Sequence, residues 1–122
     1  MRSGWARRLL PATVMCGAAA LAQPAAVREL VLVDGALPAA QRLIVVAQGQ
    51  VQRWRLTSNV AGEVHVHAYR VSVALRPGVA AELAFTAHAT GRFRVEWHPA
   101  GGTVAAAPHH DAPVATLEVR PR

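Results

Sequence analysis

From Arg28 to Arg120 the chain changes polarity almost one residue at a time, and this period of two most limits what it can fold into. Alternation places successive side chains on opposite faces of an extended strand, so one face is buried and the other meets water. The stretches Arg28–Val33, Leu43–Ala47, Val51–Thr57, Val64–Leu75, Val79–Ala87, Arg92–Trp97 and Val114–Arg120 all read this way. Within them Trp54 and Leu56 oppose Arg53 and Arg55, and Phe93, Val95 and Trp97 oppose Arg92, Arg94 and Glu96. Turn signals separate the runs at Gln48-Gly49-Gln50, Ser58 to Gly62, Arg76-Pro77-Gly78 and Thr90-Gly91. Seven short strands with such punctuation predict an all-β, antiparallel Greek-key sandwich or barrel.

The first 22 residues follow another rule. Arg2, Arg7 and Arg8 precede an uncharged run, Leu9 to Ala22, which ends Ala20-Leu21-Ala22 before Gln23-Pro24. A basic start, a short apolar stretch and a small-x-small ending predict an export signal cleaved after Ala22. The apolar run is shorter than the roughly 20 residues of a membrane span, so no stable membrane insertion is expected after cleavage. The expected division is a signal peptide, 1–22, and one domain, 23–122. The protein would then be exported to the periplasm.

Removing the leader changes the meaning of the composition. The full chain has 13 Lys+Arg, all of them Arg, against 7 Asp+Glu, for a net charge of +6. The domain keeps ten arginines and all seven acidic residues, a net charge of +3. Its arginines are scattered along alternating strands, with no basic run, which argues against nucleic acid as a partner. Cys16, the single cysteine, also leaves with the signal. The domain therefore has neither a disulfide nor a thiolate metal ligand.

The histidines carry the chemical information. All six lie in the domain: His65, His67, His88, His98, His109 and His110. His65 and His67 are two apart on an expected strand, so their Cα atoms lie roughly 6.5 Å apart on one face and both imidazoles can reach one metal ion. Continuing the alternation of Val71, Val73 and Leu75 backwards puts them, with Tyr69, on the core face at the end of the barrel interior. Glu96 and His98 fall on the opposite face from Phe93, Val95 and Trp97, so their convergence with His65 and His67 calls for a twist or bulge. Neutral imidazole is the commonest ligand for copper and zinc, and a carboxylate can complete a site. His65, His67, Glu96 and His98 are thus the candidate metal ligands, for Cu(II) with Zn(II) as the alternative. His109 and His110 lie in a loop that could supply a further ligand, and His88 reads as a surface residue. The same histidines could instead simply pack and hydrogen-bond in a metal-free interaction module. No nucleophile–base pair or acid–base dyad appears, so no catalytic activity is expected.

Three stretches resemble the cupredoxins, and in particular small exported cupredoxin-like proteins. They are Leu43 to Asn59, His65 to Arg70 followed by Arg76 to Thr86, and Thr90 to His98 followed by Leu117 to Pro121. The resemblance implies a copper site at one end of a Greek-key barrel, with His65 in the place of the first ligand. In that family a cysteine ends the strand beginning Gly-x-Tyr/Phe. Trp97 looks to occupy that position here, which implies a non-blue copper centre used in copper binding or homeostasis. A related group carries His-x-His-Gly-Tyr-Asp, from which this chain departs at Ala68 and Arg70.

Overall fold

The computed structural model describes residues 24–101 and 113–122, together with Gly17. Apart from Gly17, the expected leader ending at Ala22 lies outside the described residues, as do the loop residues His109 and His110. Eight strands are found among those described: β1 (Val27–Leu32), β2 (Leu43–Ala47), β3 (Val51–Ser58), β4 (Gly62–Val66), β5 (Val71–Leu75), β6 (Ala81–Thr86), β7 (Gly91–Pro99) and β8 (Ala115–Arg120). They form two sheets, one ordered β1-β3-β6 and the other β2-β8-β7-β4-β5.

Two expectations are corrected. The long run Val64–Leu75 is a hairpin of two strands. A 3-10 turn at His67–Tyr69 breaks it, and Arg70 takes a left-handed conformation (φ 53°, ψ 40°) that reverses the chain. β4 then pairs antiparallel with β5, Val64 opposite Val73. The sheets are also mixed: β1 runs parallel to β3, and β2 runs parallel to β8. Alternation fixes which face a residue occupies and says nothing of strand direction, so parallel pairs between distant segments leave no trace in it.

The face assignments elsewhere stand. Trp54 and Leu56 of β3, Leu83 and Phe85 of β6, Val95 of β7, and Leu117 and Val119 of β8 point between the sheets and are buried. Val79, at the start of the expected Val79–Ala87 strand, lies outside β6 in the turn closed by the Arg76–Val79 bridge and is exposed. Trp54 is fully buried and meets Phe85 edge to face, with centroids 5.1 Å apart. Such a pair contributes about 0.5–1.5 kcal/mol beyond its area burial. On the outer face of the three-stranded sheet, Arg53 and Arg55 pair with Glu82, and Arg55 also pairs with Glu29. These pairs are open to water, contribute at most about 1 kcal/mol each, and place Arg53 and Arg55 on a solvated strand face.

One end of the sandwich is fixed by a turn that the alternation passes over. Asp34-Gly35 closes a bridge between Val33 and Ala36. The Asp34 amide donates to Asn59 Oδ1 at 2.8 Å, and Asn59 Nδ2 donates to Asp34 Oδ1 at 2.9 Å. Gly35, at φ 76°, lies directly on the Trp97 indole.

Candidate metal centre

β4 and β7 lie side by side, with Val64 opposite Trp97, His65 opposite Glu96, and Glu63 opposite His98. The apolar members, Val64, Val66 and Val95, are buried between the sheets. The register therefore turns Glu63, His65, Glu96 and His98 together onto the outer face of the five-stranded sheet. This corrects the expectation that His65 faces the barrel interior. The reason is local. The four-residue reversal at 67–70 shifts parity, so the core face is taken by even positions in β4 and odd positions in β5. The conflict between the faces of His65 and Glu96 disappears with it. Their strands meet in regular register, and no bulge is needed.

His67 reaches the same place by a different route. It starts the 3-10 turn, which packs against β7 and folds the side chain back over the sheet. The His65 and His67 rings lie 3.8 Å apart between centroids, and the His98 ring lies 6.1 Å and 6.3 Å from them. One ring nitrogen from each of His65, His67 and His98 lies within 4.8 Å of the other two. Glu96 stands beside this set. Its Oε2 is 2.6 Å from His67 Nε2 and 3.7 Å from His98 Nε2, and its Oε1 is 3.4 Å from Arg94 Nε.

The donor geometry fits a small divalent ion. Imidazole nitrogens bind at about 2.0–2.1 Å, so two on one ion are at most about 4 Å apart. Closing from 4.8 Å takes a small side-chain rotation. The three imidazoles and a nearby carboxylate are nitrogen and oxygen donors with no sulfur among them. Trp97 projects from β7 to the other face and cannot contribute. The site is open: the side chains of His67 and His98 are each 53% exposed, and that of Glu96 is 24% exposed.

His88, read from the sequence as a surface residue, lies apart from this set. His88 is exposed, sits edge-on to Tyr69, and has its Nδ1 on the Thr86 carbonyl. Sequence reasoning missed Arg94 as the residue that holds the second oxygen of Glu96. Its signal was available, since residues two apart on a strand share a face. It also missed the tie between Gly35, Gly62 and Trp97, to which the Asp-Gly dipeptide pointed. A groove of about 770 Å³, lined by residues 25–28, 45–46, 49–52 and Arg122, has no histidine, aspartate or glutamate among those residues and lies apart from the cluster.

No protein-family model matches the chain, and no curated protein matches it in sequence. Solved structures do match. A chain of a heme-copper terminal oxidase dimer aligns at 17% identity and TM-score 0.58, over 76% of this chain and 65% of its own length. The periplasmic domain of subunit II of cytochrome oxidase (CoxB) from Bradyrhizobium japonicum aligns at 16% identity and TM-score 0.56, over 78% of this chain and 83% of its own. The copper-containing nitrite reductase of Thermus scotoductus aligns at 20% identity and TM-score 0.56, over 80% of this chain and 28% of its own. The fold shared with these domains is the cupredoxin β-sandwich, and this chain has it. No helix among the described residues is long and apolar enough to cross a membrane.

Proposed function

We propose that the protein is an exported, periplasmic copper-binding protein that takes up Cu(II) at a non-blue site formed by His65, His67 and His98, with Glu96 alongside. The observation that carries this reading is the convergence of three imidazole nitrogens within 4.8 Å on one sheet face. Nitrogen and oxygen donors suit Cu(II), and among the divalent first-row ions copper binds such sites most tightly, with zinc as the competitor. A His₂Cys blue centre needs a thiolate, and the only cysteine is Cys16, in the expected leader. The copper-containing relatives in fold and the basic, apolar start of the chain support the same reading. The exposed ligands favour loading and release, so the role is storage or delivery, without bond-making chemistry.

Titration of the protein with Cu(II), followed by visible absorption and electron paramagnetic resonance, tests this. One equivalent should bind with a nitrogen-rich, non-blue spectrum, and a His65→Ala/His67→Ala variant should lose that site. Equal binding by the two proteins overturns the proposal. A metal-free interaction module is the second reading. It is favoured by the pairing of His67 and Glu96, which gives one imidazole a partner within the protein. It predicts no binding in the same titration.

A further inference from the structure

Glu96 was expected among the ligands, but its surroundings assign it a different task. Both of its oxygens are engaged by protein groups: Oε1 by Arg94 and Oε2 by His67, with His98 further off on the same oxygen. The bond to His67 is the shortest, at 2.6 Å to Nε2. A neutral imidazole carries one proton, and an ionised carboxylate can only accept. The proton of His67 therefore belongs on Nε2, and the lone pair is left on Nδ1. We propose that Glu96 is a positioning residue that fixes the His67 tautomer and ring orientation, so that His67 offers Nδ1 to the metal and Glu96 stays outside the coordination sphere.

This deepens the copper reading and rests on it for the identity of the metal, while the tautomer can be measured without one. The physical basis is general. A carboxylate on the far nitrogen of a ligating histidine fixes its tautomer and raises its basicity, and losing such a partner costs about 10- to 100-fold in metal affinity. Arg94 contributes by anchoring Oε1, which keeps Oε2 directed at the ring.

The test has two arms. In the metal-free protein, long-range proton–nitrogen correlation NMR at about pH 8.5, above the ordinary imidazole range, should show His67 with its proton on Nε2. Glu96→Ala should lose that preference, and Glu96→Gln, whose amide oxygen still accepts, should keep it. A proton on Nδ1 in the native protein, or the same tautomer in Glu96→Ala, overturns the proposal. In the second arm, Cu(II) affinity should fall about 10- to 100-fold in Glu96→Ala and recover substantially in Glu96→Gln. Paramagnetic resonance should report the same number of coordinated imidazoles in all three proteins. Loss of an oxygen ligand in both variants would make Glu96 a metal ligand and overturn the proposal. If the native protein binds no copper, the copper reading fails, and the NMR arm still decides the role of Glu96.

Discussion

Gly62 and Gly35 leave a slot the width of an indole, and Trp97 fills it. A Cβ on Gly62 would overlap the outer carbons of the Trp97 ring and crowd the His98 carbonyl oxygen, while one on Gly35 would meet the indole nitrogen. Because His98 follows Trp97 in β7, the packing of the inner residue fixes the height of the outer one. Gly62→Ala should therefore destabilise the protein by about 1–3 kcal/mol, the usual cost of overpacking, as a lower midpoint in urea. It should also weaken metal binding by displacing His98, although Gly62 touches no ligand side chain. Stability equal to the native protein would show that the slot yields more easily than its geometry implies.

The hairpin of β4 and β5 is where the sequence and the structure part company. The alternation in Val51–Ser58 and Gly91–Pro99 was legible because each is one uninterrupted strand with a single parity. The pairing of inward Trp54 with outward Arg53, and of inward Val95 with outward Glu96, follows directly. Val64–Leu75 carries two parities, and apolar residues at Val64, Val66, Val71 and Val73 blur the join. The break depends on Arg70, a residue type that seldom takes a positive φ and so gives no warning. The candidate metal residues could be read from their chemistry, while the face they share depended on that reversal. Arg70→Asn, better suited to the left-handed region, should keep the hairpin and raise stability by up to about 1 kcal/mol. Differential scanning calorimetry would show a higher transition temperature, and a lower one would mean that the arginine contributes a compensating contact.

At the scale of the molecule, pH acts at both ends of the range. Glu118 accepts from Arg120 and Arg92, and these bonds hold its carboxyl below the usual carboxylate range. The folded state thus binds this proton less readily than the unfolded chain. The resulting stability is complete above the ordinary carboxylate pKa and is lost as pH falls through the lowered value. Burial acts oppositely on Tyr69, packed on Phe85 and Phe93 with its hydroxyl on the Ala89 carbonyl, and pushes its pKa up. Its contribution is complete below the ordinary tyrosine value and is lost as pH rises through the raised one. Thermal unfolding across pH should show Glu118→Gln flattening the acid limb and Tyr69→Phe the alkaline limb. An unchanged acid limb in Glu118→Gln would assign that loss to other carboxylates.

The position of β8 carries a kinetic consequence. It lies inside the five-stranded sheet, between β2 and β7, and Leu43 in β2 pairs with Thr116. Until β8 is available, β2 has no neighbour in its sheet and one side of β7 is open. Closing so long a loop is slow, because its entropy is lost before the contacts form. The three-stranded sheet and the β7-β4-β5 set can pair without β8, so the parallel β2–β8 contact should be among the last to form on refolding, the step that seats β2.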